Sequence, residues 1–225
     1  MELTVSCIIP AWNEADRLPA VLACVAAHPL LAEVIVVDDA STDATARVAA
    51  AFGVTVIRQD RNGGKSAAVA QGLRAARGDL VLLLDADLIG LTPMHVTALL
   101  EPLVSRKAVA SVSLRSNAPL LWRLIGLDYI SGERAMPRAL LAENLSRVEN
   151  LRGFGLEVHM NRLWLARGGR IAVVRLEGVE SPSKAAKRGL LGGIKGDAAM
   201  LVDIFRTVGM AEALRQIYNL RRASA

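Results

Sequence analysis

Five large aliphatic residues, Leu80-Val81-Leu82-Leu83-Leu84, run straight into Asp85-Ala86-Asp87. The run has the length of a strand, and its lack of polar alternation means that both faces are covered. A strand of this kind lies inside a sheet layered between helices, which confines the chain to an α/β architecture. Asp85 and Asp87 then stand at the carboxyl end of a central strand, the edge at which open α/β sheets form a ligand crevice. Two carboxylates so close repel each other unless a cation or a set of donors offsets them. Mg²⁺ suits such a pair, because it takes one or two protein carboxylates and fills its other positions with water and substrate phosphates. The competing reading is a solvated turn in which both aspartates cap local structure.

The flanking sequence alternates strands and helices at spacings of roughly 20 to 25 residues. Leu3 to Ile9 is a first strand that Pro10 ends, and Asn13-Glu14 opens a helix to about His28. Glu33 to Val37 is a second strand, Ala40 to Asp43 caps a helix over Ala44 to Ala51, and Val54 to Arg58 is a third strand. Asn62-Gly63-Gly64-Lys65 leads into a helix to about Arg77. Thr92-Pro93 has the pattern of an N-cap with proline at the first helical position, for a helix to about Val104, and Ala108 to Leu114 is a further strand. Arg115 to Asn150 is less regular, with Trp122, Leu124, Ile125, Tyr129 and Ile130 packed between loop-like positions. A helix over Leu156 to Ala166, a strand over Ile171 to Leu176 and helical periodicity to Leu220, broken at Gly209, complete the chain. The expected fold is a doubly wound, mainly parallel Rossmann-like sheet flanked by helices. It forms a single domain over residues 1–225, with one half over 1–115 and a second over 116–225.

A hydrophobic content of 52% is ample for a core at 225 residues. Cys7 and Cys24 have no metal or disulfide spacing, Met1-Glu2-Leu3-Thr4 lacks a basic leader, and no apolar run approaches a membrane span. A cytoplasmic protein follows, at most peripheral to the inner face of the membrane. From Ser181 onward eight basic residues face three acidic ones, which accounts for the whole net charge of +5. The body of the chain is neutral and lacks interleaved aromatics, which argues against nucleic acid as a partner. The basic end suits an acidic lipid surface or a phosphorylated substrate, or is a solvated helix face.

Three loops converge on the paired aspartates: Pro10-Ala11-Trp12-Asn13-Glu14, Asp38-Asp39 and Asn62-Gly63-Gly64-Lys65. They offer acceptors for a base or ribose, backbone N–H groups for phosphate, and one mobile cation. A P-loop is rejected because its first glycine would fall at Gln59, and no G-x-G-x-x-G follows the first strand. Ile8 to Glu14, Val34 to Asp43, Gly64-Lys65 and Leu83 to Asp87, in this order and spacing, resemble the family 2 glycosyltransferases of the GT-A fold. The resemblance implies a nucleotide-sugar donor, most often UDP-linked. It places Pro10, Ala11 and Glu14, with Asn13 in the same motif, around the nucleoside. Asp39, beside Asp38, faces the base, and Lys65 lies near the ribose or diphosphate. Asp85 and Ala86 contact the donor, while Asp87, with Asp85, holds Mg²⁺ or Mn²⁺ on the diphosphate, making Asp87 catalytic.

Ser131 to Arg138 resembles the acceptor loop of members near the polyprenyl-phosphate glycosyltransferases and glucosyl-phosphoglycerate synthases, and Gly153 to Glu157 the segment that carries the acidic base. An inverting hexosyl transfer to a lipid phosphate or a small metabolite is the expectation, with Glu157 as base and Glu133 and Arg134 at the acceptor. The competing reading of Glu157 is a favourable charge at a helix start. A homo-oligomer is compatible with the resemblance. One departure is the metal-completing histidine of those relatives, which Val179 to Lys184 lacks. His28 and His95 fall away from the site, and His159 reads as a helix-surface residue. Lys184, Lys187 and Arg188 could carry positive charge over the diphosphate. The rival readings are a sugar nucleotidyltransferase, which expects a glycine-rich loop after the first strand, and a non-catalytic nucleotide-sugar-binding module.

Overall fold

The computed structural model describes residues 3–182 and 201–224. Lys184, Lys187 and Arg188 lie outside the described residues. Seven strands form one sheet in the order β3-β2-β1-β4-β6-β5-β7. β1 (Val5–Ala11), β2 (Glu33–Asp38), β3 (Thr55–Arg58) and β4 (Leu80–Leu83) are mutually parallel. All four residues of β4 are buried, so the apolar run does occupy the middle of the sheet. β5 (Ala110–Arg115) pairs parallel with β7 (Ile171–Leu176). Between β4 and β5 lies β6 (Arg134–Pro137), antiparallel to both.

The sequence reading treats residues 131–138 as loop, and β6 corrects it. A four-residue strand of Arg-Ala-Met-Pro is too short to show a period of two, and proline is a poor strand former. It is held by register instead: Arg134 stands opposite Leu83 on one side and Val112 on the other.

Residues of β1 alternate between two cores, as the pleat requires. Cys7 and Ile9 join Leu22, Val36, Leu82 and Leu99 on the face covered by α1 (Leu18–Val25), α2 (Thr45–Ala51) and α4 (Pro93–Val104). Ile8 joins Ile35, Leu73, Trp122, Trp164 and Leu220 on the other. That second face is covered by α3 (Lys65–Ala75), α5 (Leu120–Ile125), α6 (Ala139–Ala142), α7 (Leu145–Glu149) and α8 (Gly155–Arg167), then by α9 (201–208) and α10 (Met210–Ala223). Gly72 has no room for a side chain: a Cβ there would sit 2.5 Å from Ile8 Cγ2. α3 therefore lies directly on β1, and its first residue, Lys65, is carried to the rim.

Three local readings change. α1 begins at Leu18, because Asn13 and Glu14 are spent on tying loops together. Leu124 is 76% exposed, the reverse of the packed position expected for it. His159, expected on a helix surface, is buried on α8 with Nε2 lacking a partner among the described residues. His28 and His95 lie against α4, where His28 Nε2 meets Pro93 O and Thr97 Oγ1, both at 3.1 Å, and His95 Nδ1 accepts the Thr92 N–H. Cys7 and Cys24 are free and buried.

Candidate active site

The carboxyl ends of β1, β2 and β4 and the start of α3 enclose a cavity of about 320 Å³. Its walls include eight residues singled out in the sequence: Pro10, Ala11, Glu14, Asp39, Lys65, Asp85, Ala86 and Asp87. Trp12, Ala68 and Ser181 complete them. A larger cleft of about 710 Å³ opens between α8 and α10, but its lining of Arg162, Glu212, Arg215 and Gln216 lacks the paired aspartates. Size alone does not locate the chemistry.

Asp39 organises one side of the cavity. Its Oδ1 accepts from Gln59 Nε2 at 2.7 Å and from the Gly63 N–H at 2.8 Å, and Oδ2 accepts from the Gly64 N–H at 2.8 Å. One carboxylate thus shapes the turn that opens α3. Gln59 is missed by the sequence reading except as the residue that breaks a P-loop. Asn13 and Asp38, placed at the donor by the resemblance, are absent from the cavity walls. Asn13 has φ of 55°, and its Oδ1 accepts from the Thr42 N–H. Asp38 is fully buried, accepts from the Ser41 N–H at 3.0 Å, and faces Arg58 Nε at 3.4 Å. Both hold the loop from behind.

Lys65 Nζ sits 2.7 Å from Asp85 Oδ1 and 3.2 Å from Glu157 Oε1. The pairing brings together residues 20 and 92 positions apart in sequence, from α3, the end of β4 and the first turn of α8. Burial opposes charge on both partners, yet the opposite charges win: Lys65 is raised, and Asp85 is held below the usual carboxylate range by Lys65, with Arg115 and Arg134 behind it. Glu157 is buried beneath the lysine and is absent from the cavity walls. Gly132 closes this corner, because a Cβ there would lie 2.5 Å from Asp85 Oδ2 and 2.7 Å from Lys65 Nζ.

Asp87 has the opposite fate. Burial, then Asp85 and Glu14, push its carboxyl up to about 6, and no salt bridge engages it among the described residues. The cavity therefore holds more negative charge than its one lysine offsets. That surplus, on hard oxygen donors at a strand end, fits Mg²⁺ or Mn²⁺. No group of three candidate ligands occurs among the described residues, and Ser181 is the cavity residue contributed by the stretch where a histidine was expected. The protein side of such a site is thus Asp85 and Asp87, with substrate phosphate needed to complete it.

The residues that the resemblance assigns to the acceptor form a buried network. Arg134 donates to Ser131 O, Tyr129 O and Asn161 Oδ1 at 2.6 to 2.8 Å, and its guanidinium stacks 4.9 Å from the centroid of a Trp164 ring. Glu133 Oε2 accepts from Ser113 Oγ and Ser131 Oγ, with Arg115 Nε at 3.6 Å. Neither Glu133 nor Arg134 is exposed, so the structure keeps both away from the cavity surface and uses them to fix the 128–134 loop. Beyond this network, at the ends of β5 and β7, Arg115, Arg123 and Arg175, with Glu177 as the one carboxylate, line a second cavity of about 160 Å³. Arg123 and Arg175 have no side-chain partner among the described residues, and Arg115 Nε lacks a hydrogen bond. The sequence reading misses all three arginines. The signal available was Arg115 as the last residue of a buried strand, at the same rim as Asp85.

A layered sheet with one reversed strand, paired aspartates at the end of its central strand and a lysine at the adjoining helix start define a GT-A glycosyltransferase. The family model for "Glycosyl transferase family 2" matches residues 6–146, and the chain belongs to that family. It is similar to an uncharacterized glycosyltransferase of Mycobacterium tuberculosis, 31% identical over 91% of this chain and 97% of the relative. It is also similar to glucosyl-3-phosphoglycerate synthase of Mycolicibacterium paratuberculosis, 34% identical over 52% of this chain. The match spans only 38% of that synthase's length. Among solved structures, the M. tuberculosis glucosyl-3-phosphoglycerate synthase in complex with Mn²⁺, UDP and phosphoglyceric acid aligns with a TM-score of 0.70 and 26% identity, covering 96% of this chain and 78% of that one. The same synthase with Mn²⁺, UDP and glucosyl-3-phosphoglycerate gives 0.67 and 27%, covering 89% and 79%.

Proposed function

We propose that the protein transfers a hexosyl group, glucose in the first instance, from a UDP-sugar to an acceptor that carries a phosphate. The observation that carries this reading is the adjacency of two oppositely charged cavities. The donor cavity has surplus carboxylate at Asp85 and Asp87; the second cavity sets Arg115, Arg123 and Arg175 against one carboxylate, Glu177, and because Arg115 is already engaged by Asp128 and Glu133, the guanidiniums left over are those of Arg123 and Arg175. Arg115 Nε lies 3.6 Å from Glu133, the preceding residue, Gly132, has its Cβ position against Asp85, and Arg115 helps to hold the Asp85 carboxyl below the usual carboxylate range. The solved glucosyl-3-phosphoglycerate synthases, which bind UDP with Mn²⁺ or Mg²⁺, support the donor and the metal.

Asp85 and Asp87 hold the divalent cation, which when bound supplies positive charge to the departing diphosphate. The turn shaped by Asp39 presents the Gly63 side of the cavity to the nucleoside. Lys65 adds a mobile cation where charge develops on the leaving group. As Lys65 turns to the diphosphate, Glu157 loses its partner and becomes free to accept the proton of the acceptor hydroxyl, for transfer with inversion. The guanidiniums bind the acceptor phosphate, bidentately where geometry allows, and so orient the hydroxyl.

The test is transfer from radiolabelled UDP-glucose, with Mn²⁺, to 3-phosphoglycerate, glycerol 3-phosphate, a polyprenyl phosphate and their dephosphorylated counterparts, with products read by mass. The reading expects product only with the phosphorylated acceptors, and loss of that preference in Arg175→Ala. Equal transfer to the dephosphorylated acceptors overturns the phosphate reading. Retention at the anomeric centre, seen by NMR, removes Glu157 as a single-displacement base.

A further inference from the structure

α5 is six residues long and turns its back on the core with only part of its surface. Trp122 is fully buried, while Leu120, Leu121 and Leu124 are 56%, 38% and 76% exposed. A single exposed leucine needs no explanation, but three on under two turns of helix form an apolar patch that water disfavours. Arg123 stands among them, and its guanidinium lines the arginine cavity together with Arg115 and Arg175. Three positions ahead of the helix, Asn117 Nδ2 donates to Ser181 O at 2.8 Å, which ties the approach to α5 to a residue that walls the donor cavity. The patch is therefore part of the reaction rim.

Apolar surface and anion-binding charge on one short element match an amphiphile whose headgroup is a phosphate. A second copy of the chain fits poorly, because two facing α5 helices would oppose Arg123 to Arg123. We propose that α5 seats the protein on an anionic lipid surface, its leucines among the acyl chains, so that the phosphate of a lipid acceptor enters the arginine cavity directly from the bilayer. This deepens the acceptor-phosphate reading and rests on it. It also moves the lipid contact away from the basic C-terminal helix, where the charge count had suggested it. On α10, Met210, Leu214 and Tyr218 are exposed too, but among the described residues no hydrogen bond or salt bridge joins that helix to the cavity of Asp85 and Asp87.

The experiment is co-sedimentation of the full chain with vesicles of phosphatidylglycerol and phosphatidylcholine, and with phosphatidylcholine alone. Binding is expected to the first and at least tenfold weaker to the second. Leu120→Ser/Leu124→Ser is expected to lose at least tenfold in binding to the anionic vesicles, while calorimetry shows UDP and Mn²⁺ binding unchanged. The parallel variant Leu214→Ser/Tyr218→Ser is expected to bind vesicles as the wild type does. No vesicle binding by the wild type, undiminished binding by the α5 variant, or loss only in the α10 variant would overturn the proposal. So would a wild-type dimer, seen by light scattering, that the α5 variant converts to monomer. Calorimetric titration of inorganic phosphate into wild type and Arg175→Ala tests the arginine cavity without lipid, so the two readings fail separately.

Discussion

The rim at the ends of β1 and β4 and the rim at β5 and β6 handle charge in opposite ways. At the first rim, Lys65 engages Asp85 and Arg17 engages Glu14, which leaves Asp87 without a salt bridge among the described residues and its carboxyl pushed up to about 6. A few residues away, Asp128, Glu133, Arg115 and Arg134 are buried against one another and against Ser113, Ser131 and Asn161. The first region leaves its electrostatics incomplete and awaits a ligand, whereas the second has closed most of its own. What separates a binding surface from a scaffold here is the balance of charge, since both regions are rich in the same residue types.

The contrast predicts how each rim breaks. Asp87→Ala removes a group that works only with donor bound: transfer falls about a thousandfold, near 4 kcal/mol at the transition state. Circular dichroism and the melting temperature stay within error of wild type, and an active Asp87→Ala enzyme would end the carboxylate mechanism. Arg134→Leu does the reverse, costing about 3 kcal/mol of stability by urea unfolding because it strands buried acceptors of its hydrogen bonds. A neutral effect would show that the network is not what holds the 128–134 loop. Gly132→Ala sharpens the boundary between the regions, because its methyl group must displace Asp85 and Lys65. We expect roughly tenfold weaker UDP and Mn²⁺ binding by calorimetry with little loss of stability.

The smallest effect is one of pH. Burial, then Arg147 and Arg162, hold the His159 imidazole below its ordinary value of 6.5, so the native state binds fewer protons than the unfolded chain. Its contribution is complete above pH 6.5 and is lost as pH falls below that value toward the lowered one. His159→Phe should flatten the slope of urea stability between about pH 6.5 and 5, by under about 1 kcal/mol. An unchanged slope would assign that pH dependence elsewhere.

The donor half was legible because its information is local. An unbroken apolar run announces β4, Pro10 ends β1 near its true end, and the aspartates follow their strands directly. The acceptor half encodes its structure in partners far apart in sequence: Arg134 with Asn161, Tyr129 with Gln216, Lys65 with Glu157. No window of ten residues contains those pairs, so Glu133 and Arg134 read as ligand contacts when they are internal ties. Leu124 was misread for the same reason, since apolarity predicts burial only where something is present to bury against.

The reversed strand has one more consequence. Neighbouring side chains of β6 enter different layers: Ala135 goes to the α1/α4 side, and Met136, with Arg134 two positions earlier, to the Trp164 side. Sliding β6 by a single position would drive a guanidinium into a mainly hydrocarbon compartment that holds no carboxylate partner for it on β5 or β4. The chain cannot tolerate that misalignment, and so a modest alanine, outside the walls of both cavities, pins the register on which they stand.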